Sequence, residues 1–239
     1  MKLTDKFTDG RTLFAFELLP PLKGQNIESI YSAIDTLREF SPSYINVTYH
    51  REEIKLVERE GGLLERRVVR KRPGTVGISA AIQARYSIDV VPHLICGGFS
   101  ADETEDALIE MNFLGIDNVL ALRGDRSPSR PESPDFKHAS DLTSFIKWKE
   151  PEFSVHGACY PEGHPEADSL LHDVENLRIK QAAGAEHLLT QLFFDNMHFY
   201  RFLNLARRAG ITLPVSAGVM PIVKRSQIER TVSLSSASL

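Results

Sequence analysis

Short apolar runs alternate along the chain with longer segments in which apolar residues recur every three or four positions. The short runs have the length and composition of β-strands, and the longer segments have the period of helices that pack by one face. Seven runs predict strands, at 13–19, 44–49, 90–96, 118–123, 153–159, 187–193 and 214–220. Because this alternation is typical of repeated βα units, we expect a parallel sheet covered by helices.

Apolar stripes and end signals define the predicted helices. The residues expected to face the core are Ile27, Ile30, Ile34 and Leu37, then Ala107, Leu108, Met111 and Leu114, and finally Phe199, Phe202, Leu203 and Ala206. Ser100 and Glu103 have the spacing of a capping box at the start of the second of these helices. Pro165 is expected to open a further helix, which Gly184 ends.

The order of these elements predicts an α/β fold, namely a (β/α)8 TIM barrel that lacks the last βα unit in this chain. We expect a single domain over 1–239, because α/β barrels of this length often form one domain. A barrel without one strand has two unpaired edges, so the chain is either a fragment or is closed by a partner. An open doubly wound sheet is the alternative, but no glycine fingerprint follows the first strand.

Composition narrows the classes of function. With 42% hydrophobic and 25% charged residues the chain can bury a sizeable core, and its net charge of −4 argues against a nucleic-acid partner. No apolar run approaches the ~20 residues that span a bilayer, so we expect no membrane association. Cys96 and Cys159 lie far apart without metal-binding spacing, which favours the reducing cytoplasm. The basic segment 66–72 is expected to be a solvated face.

A glutamate lies within the first predicted strand. Alternation places Glu17 on the opposite face from Phe14, Phe16 and Leu18, so its side chain is expected to point into the barrel mouth. The neutral form of a carboxyl is favoured among apolar neighbours, which makes Glu17 a candidate general acid. An ion pair with a nearby arginine is the alternative.

Other polar residues lie at strand ends, where parallel α/β folds gather their chemistry. Thr48 and Tyr49 end the second strand, and His93 lies within the third, either as a ligand or as a hydrogen-bonded core residue. Gln191 has an amide that can both donate to and accept from a heterocycle. Arg123, Gly124 and Asp125 follow the fourth strand and form either an adhesion loop or the lip of a pocket.

Two further candidates follow the fifth strand. The loop 160–167 carries Tyr160 and His164, but the spacing of its acidic and histidine residues fits no metal-ligand pattern, so we expect no metal. Asp173, Asn176 and Lys180 form one polar stripe on the next helix, and such a stripe is usually solvent-facing.

Five motifs in this order resemble those of the methylenetetrahydrofolate reductase family: FELLPP (16–21), LALRGD (120–125), YPEGHPEA (160–167), TQLFFD (190–195) and AGVMPI (217–222). The resemblance runs from about residue 13 to residue 230. It implies a (β/α)8 barrel that holds FAD, takes a hydride from NADH or NADPH and passes it to 5,10-methylenetetrahydrofolate in a ping-pong sequence. The product would be 5-methyltetrahydrofolate.

The resemblance also implies roles for individual residues. Glu17 and Asp125 would be catalytic, Glu17 as the acid that helps to open the five-membered folate ring, and Asp125, Gln191 and Gln227 would contact the folate. The residues implied to bind FAD are Thr48, Tyr49, His93, Arg123, Gly124, Asp125, His138, Ala139, Tyr160, His164, Asp173, Asn176 and Lys180. We therefore expect Glu17, Asp125 and Gln191 to converge on one flavin ring.

Two other hypotheses compete with a flavin-dependent reductase. The chain could be a non-catalytic flavin- or pterin-binding relative that needs a partner chain, or a pterin-binding methyltransferase barrel without flavin. Under the resemblance the protein would be a homo-oligomer or a partner subunit. Arg123 to Asp125 would then line a cofactor pocket instead of an adhesion loop.

Overall fold

The computed structural model describes residues 1–10, 12–50, 53–59, 62–97, 99–125, 135–224, 227–228 and 238. Two compact units divide the chain, Met1–His138 and Ala139–Leu239. The expectation of one domain over 1–239 stays a prediction.

The first unit contains a parallel sheet with the strand order β1-β2-β5-β6 and a separate antiparallel ribbon of β3 and β4. Its strands are β1 (Ala15–Leu18), β2 (Tyr44–Val47), β3 (Glu53–Glu58), β4 (Leu64–Val69), β5 (Asp89–Ile95) and β6 (Asn118–Leu122). Its α-helices are α1 (Glu28–Leu37), α2 (Thr75–Tyr86) and α3 (Ala101–Phe113), and it also has 3-10 helices at Leu3–Asp9 and Arg38–Phe40.

Strand register decides which side chains of the first unit share a face. Glu17 lies beside Asn46, and Asn46 lies beside Val91. Residues paired in parallel register point to the same face, and so do residues two apart on one strand. Glu17, Asn46, Thr48 and His93 therefore lie on one face of the sheet.

The opposite face of this sheet is apolar. It carries Ile45, Val47 and Ala121, each with no exposed surface. Helix α2 contacts β2 and β5, and its Ile78 and Ile82 are buried. Burying an aliphatic side chain of this size contributes roughly 1.5–3 kcal/mol, so this layer holds the strands that carry the polar face.

The second unit has three parallel strands and three helices. The strands are β7 (Ser154–Cys159), β8 (His187–Thr190) and β9 (Val215–Ser216), in the order β7-β8-β9, and the helices are α4 (Ala139–Lys149), α5 (Leu170–Ala182) and α6 (Asn196–Arg208). One face of the strands joins α5 and α6 in a buried core that consists of Cys159, Val174, Leu177, Leu188, Phe202, Ala206 and Ile211.

All seven strands expected from the sequence are confirmed, although most end earlier than the apolar runs do. The capping box is also confirmed, since the Ser100 hydroxyl accepts from the Glu103 N–H and the Glu103 carboxylate accepts from the Ser100 N–H. The expectation for Leu114 is wrong. This residue lies just beyond the end of α3 and is 40% exposed, because the helix stops before it can face the core.

The expected start of the fifth helix is wrong as well. Helix α5 begins at Leu170, and the Ser169 hydroxyl caps it by accepting from the N–H of His172. Pro165 lies in the preceding loop, where the His164 carbonyl accepts from the Ala167 N–H and closes a turn. A proline fixes φ in turns as well as in first helical turns, so its presence alone does not distinguish the two.

The antiparallel ribbon of β3 and β4 was not predicted from the sequence. Strands β3 and β4 pair from Glu53 with Val69 to Glu58 with Leu64, and Gly62 has φ +74° in the turn between them. Arg66 and Arg67 lie on β4 and are exposed, so this part of the basic segment is solvated as expected. The available signal was the Gly61-Gly62 pair beside the alternating stretch EIKLVE.

No helix within the described ranges combines the length and the apolar character that crossing a bilayer requires.

Buried histidines are the most unusual feature of the strands. His156 and His187 pair in register on β7 and β8, with ring centroids 5.1 Å apart, and the His187 ring lies 2.8 Å from the Ser216 hydroxyl. Burial lowers the pKa of His187 to about 3. Burial, and then the proximity of His187, lowers the pKa of His156 well below its usual value. Both rings are therefore neutral at physiological pH.

We expect the free energy of unfolding to fall below pH ~6.5, because the unfolded chain then binds protons that the folded histidines exclude. Each such histidine contributes a slope of at most about 1.4 kcal/mol per pH unit between its unfolded and folded pKa values. His156→Leu should reduce this slope in urea titrations between pH 7 and pH 5. Val155→Ala, which changes a buried neighbour without a titrating group, should lower stability equally at each pH. An unchanged slope in His156→Leu would contradict the interpretation.

Candidate active site

The carboxyl ends of β1 and β2 are joined beyond the regular ladder. The N–H and the hydroxyl of Thr48 both donate to the Leu18 carbonyl, at 3.1 and 3.3 Å. This pair of bonds fixes the backbone next to Glu17 and leaves the threonine hydroxyl with acceptor capacity toward a ligand.

Glu17 has a perturbed carboxyl. Glu17 is an exposed residue, and partial desolvation of its carboxyl raises its pKa. A group at the opening of a concave surface can be both reachable by water and poorly solvated. No hydrogen bond or ion pair joins Glu17 to another residue in the described part of the chain. The ion-pair alternative is thus not supported there.

His93 is buried on β5, on the face that also carries Glu17. It is 5% exposed, and burial, followed by the proximity of His50, lowers its pKa to about 3. Its Nε2 has no hydrogen-bond partner among the residues that the structure describes. An unpaired buried ring nitrogen is costly, so this atom is suited to a hydrogen bond with a bound molecule.

The Arg-Gly-Asp segment follows β6. Arg123 and Gly124 are half-buried, and Asp125 is exposed. Gly124 has φ +77°, in the left-handed region where a side chain costs about 1–2 kcal/mol. A glycine here lets the chain turn sharply at the strand end and lets another group approach the backbone closely.

Tyr49 lines a cavity in the first unit. Its ring centroid lies 5.1 Å from that of Phe99, beside a cavity of about 680 Å³ that Arg70, Gly74 and Glu103 also line. None of the other predicted site residues lines this cavity.

His138 and Ala139 lie on opposite sides of the boundary between the two units. The His138 ring is exposed, and its carbonyl accepts from the Cys96 thiol at 3.4 Å. Ala139 is buried at the start of α4, where its carbonyl accepts from the Thr143 hydroxyl at 2.8 Å. The preceding residues 126–134 lie outside the described residues.

In the second unit, the loop after β7 and the helix α5 bring several predicted residues together. The rings of Tyr160 and His164 pack edge to face at 4.7 Å, and the His164 N–H donates to the Asp173 carboxylate at 3.1 Å. The Lys180 ammonium donates to the Ala158 carbonyl at 2.6 Å. These contacts fix the loop against the first turn of α5.

The polar stripe on α5 is not a simple solvent-facing surface. Asp173 is 5% exposed, and Asn176 and Lys180 are half-buried. Burial raises the pKa of the Asp173 carboxyl, and the nearby Lys180 opposes this shift. The stripe therefore offers one carboxylate, one amide and one ammonium that are all partly withdrawn from water, which suits hydroxyl and phosphate groups.

Two glutamines complete the predicted set. The Gln191 N–H donates to the Cys159 carbonyl at 2.7 Å, and its side-chain carbonyl accepts from the Leu192 N–H at 2.9 Å. The side-chain carbonyl of Gln227 accepts from the N–H groups of Val223 and Lys224. Both carbonyls are engaged locally, so the NH2 groups are the parts of these amides best placed to act on a ligand.

Glu17 and Asp125 belong to the first unit and Gln191 to the second, so their expected convergence on one ring stays a prediction. The described residues include no group of three or more histidine, cysteine or acidic side chains suited to a metal ion. Asn46, which is buried beside Glu17 on β2, was not among the residues predicted for the site. Its place within an otherwise apolar run, INV, was the available signal.

The fold matches solved structures of the TIM-barrel class. A Clostridium thermocellum protein described as binding two copies of 5-methyl-5,6,7,8-tetrahydrofolic acid superimposes with a TM-score of 0.62 at 13% identity, over 99% of this chain and 76% of that one. A 2,3-dimethylmalate lyase superimposes with a TM-score of 0.57 at 8% identity, over 96% of this chain and 76% of that one. The expected α/β barrel class is confirmed.

The family model for methylenetetrahydrofolate reductase matches residues 2–239, and the chain belongs to this family. The 5,10-methylenetetrahydrofolate reductase of Pectobacterium carotovorum is 31% identical, over 94% of this chain and 69% of that protein. A probable methylenetetrahydrofolate reductase (NADH) of rice is 30% identical over 92% of this chain. The chain spans only 37% of that relative's length.

Asp173→Leu should destabilise the second unit, because it leaves the partly buried N–H of His164 without its acceptor. The cost of such an unpaired group is roughly 1–3 kcal/mol. Asp173→Asn keeps an acceptor oxygen and should retain most of the stability. Urea unfolding of the two variants checks this, and equal stability of both would show that the bond to His164 contributes nothing.

Proposed function

We propose that the protein reduces 5,10-methylenetetrahydrofolate to 5-methyltetrahydrofolate with NADH or NADPH, by ping-pong hydride transfer through FAD. Family membership over residues 2–239 supports this reaction. The observation that carries the proposal is the Glu17 carboxyl, which is partly desolvated and joined to no cation among the described residues. Such a carboxyl holds its proton to higher pH than an ordinary glutamate, as a general acid requires.

The described residues fit a bound FAD. In the first unit, the buried His93 Nε2 has no hydrogen-bond partner among the described residues, and Gly124 lets a planar ring approach the backbone closely. In the second unit, Lys180 can offset pyrophosphate charge while Asp173 and Asn176 hold hydroxyl or amide groups. Thr48, Tyr49, Arg123, His138, Ala139, Tyr160 and His164 complete the proposed set. When bound, FAD would supply a two-electron carrier that accepts a hydride from the nicotinamide and returns it to the folate.

Glu17 would act on the folate. Opening the five-membered ring breaks a carbon–nitrogen bond, and the departing nitrogen needs a proton. A protonated Glu17 would supply it, and the resulting carboxylate would regain a proton from solvent, to which this side chain is accessible. The bonding electron pair would leave with the nitrogen, and the electron-poor carbon left behind would accept the hydride.

Asp125, Gln191 and Gln227 would bind the pterin. Exposed Asp125 offers carboxylate oxygens to ring N–H groups, and the NH2 groups of the two glutamines can donate to ring oxygen or nitrogen atoms. Together these groups would distinguish a pterin from an aromatic ring without heteroatoms.

We also propose a cytoplasmic location and a homo-oligomer or a complex with a partner subunit. Cys96 and Cys159 are free and buried, and burial raises the pKa of Cys159 to about 12. Thiols in this state suit a reducing compartment.

The purified protein should be yellow, and NADH or NADPH should bleach it in the absence of oxygen. Addition of 5,10-methylenetetrahydrofolate should restore the colour with formation of one equivalent of 5-methyltetrahydrofolate per flavin. Anaerobic stopped-flow absorbance follows both half-reactions separately. A colourless protein that binds 5-methyltetrahydrofolate would instead favour a methyltransferase barrel.

Glu17→Gln should leave flavin reduction by the nicotinamide unchanged and slow the folate half-reaction by roughly 10²–10⁴-fold, the usual contribution of a general acid. In the wild-type protein, the rate of the folate half-reaction should fall as pH rises through the raised pKa of Glu17, because the acid form is lost. This limb of the pH profile should disappear in Glu17→Gln. The exposed Glu39→Gln is the matched control. A wild-type folate rate and pH profile in Glu17→Gln would remove the acid role.

A further inference from the structure

We propose that Thr190 is a positioning residue for the folate half-reaction: its hydroxyl fastens the segment after β9 to the carboxyl end of β8 and so holds Gln191 in place. This inference rests on the proposed function, because Gln191 is assigned there to the pterin. Thr190 lies in the motif TQLFFD, and the segment that it holds is AGVMPI, 217–222.

The pairing of β8 with β9 is short. Two register pairs, Leu188 with Val215 and Leu189 with Ser216, make up the ladder. Beyond Ser216 the next contact is made by a side chain, since the Gly218 N–H donates to the Thr190 hydroxyl at 2.8 Å. Thr190 is 5% exposed and Gly218 is half-buried, so this bond is partly shielded from water. The hydroxyl thus extends the pairing of the two strands by one hydrogen bond.

The backbone at Gly218 lies unusually close to β8. A Cβ built on Gly218 would lie 2.4 Å from the Thr190 carbonyl oxygen, far inside van der Waals contact. A side chain at this position would push the two segments apart. The absence of a side chain and the hydroxyl bond therefore act together, and both place AGVMPI directly against the residue that precedes Gln191.

Gln191 is held from the other side by β7. Its N–H donates to the Cys159 carbonyl at 2.7 Å, and its side-chain carbonyl accepts from the Leu192 N–H at 2.9 Å. The amide is thus oriented through its own backbone. A tilt of the β8 end would redirect the NH2 group, and Thr190 is the point at which the β9 side restrains that tilt.

The two residues just after this segment are also held by a side chain. The Gln227 carbonyl accepts from the N–H groups of Val223 and Lys224, at 2.9 and 2.8 Å. The segment from Gly218 to Lys224 is therefore held at one end by Thr190 and at the other by Gln227. Loss of the Thr190 bond frees only the end that adjoins Gln191.

The contribution of Thr190 can be separated from general stability. The buried core of the second unit consists of apolar side chains from β7, β8, α5 and α6, with Ile211 after α6, and Thr190 pairs in register with Cys159 on the same face. Replacing the threonine with valine keeps its volume and shape and removes only the acceptor. The fold should persist while the restraint on the β8 end is lost.

Thr190→Val should accelerate hydrogen–deuterium exchange in residues 217–222 about tenfold, the factor that corresponds to a bond worth about 1.4 kcal/mol. In steady-state kinetics it should raise KM for 5,10-methylenetetrahydrofolate by a similar factor. Anaerobic flavin reduction by the nicotinamide should stay within about twofold of wild type, because Gln191 is assigned to the folate half-reaction. Thr190→Ser keeps the hydroxyl and should restore both exchange and KM.

The matched control is Thr104→Val, which removes another buried hydroxyl, one that donates to the Ser100 carbonyl at the start of α3 in the first unit. It should lower stability without changing exchange in 217–222 or KM for the folate. Unchanged exchange in Thr190→Val, or equal losses in the two half-reactions, would overturn the inference. A wild-type protein without folate turnover would overturn the proposed function itself, whereas folate turnover with the same KM in Thr190→Val overturns only this role.

Discussion

The parallel register of the strands is the constraint on which each half of the candidate site depends. Parallel pairing brings all carboxyl ends of a sheet to one edge and makes paired residues point to one face. In the first unit this places Glu17 beside Asn46 and puts both on the face of His93, although β1 and β5 are separated by more than 70 residues. A shift of one residue would turn these side chains into the apolar layer formed with α2.

The same register explains why polar side chains are buried inside the strands. His93, His156 and His187 lie on the faces opposite the apolar layers, and each is held neutral because burial lowers its pKa. A neutral ring costs far less to bury than a charged one, so these positions are compatible with a folded sheet at physiological pH. His187 and His93 differ in their hydrogen-bond partners. The His187 ring has a protein hydroxyl as its partner, whereas His93 has a ring nitrogen suited to a hydrogen bond with a ligand.

Much of the fold followed from hydrophobic periodicity, and the errors have identifiable physical reasons. All seven strands and the capping box at Ser100 were predicted, because these features depend on residues that are close together in the sequence. The ribbon of β3 and β4 was missed because Arg66 and Arg67 on β4 indicated a solvated basic segment, although Ile54 and Leu56 alternate with charged residues on β3. The start of α5 was misplaced at Pro165, because a proline marks turns and helix starts alike. Of the site, the residue types at strand ends were predictable, whereas the desolvation of Glu17 depends on atoms brought in by the fold.

The bond between Thr190 and Gly218 shows most clearly what sequence patterns leave out. The two residues are 28 positions apart, and neither type alone indicates chemistry: threonine is common in strands, and glycine in the segments that follow them. The two residues come together because β9 pairs with β8 over only two residues. Beyond that ladder the N–H of Gly218 needs another acceptor. First, the partly buried N–H of Gly218 needs an acceptor. Second, the backbone carbonyl of Thr190 lies too close to allow a side chain on Gly218. A hydroxyl on β8 and a glycine on the facing segment satisfy both conditions at once.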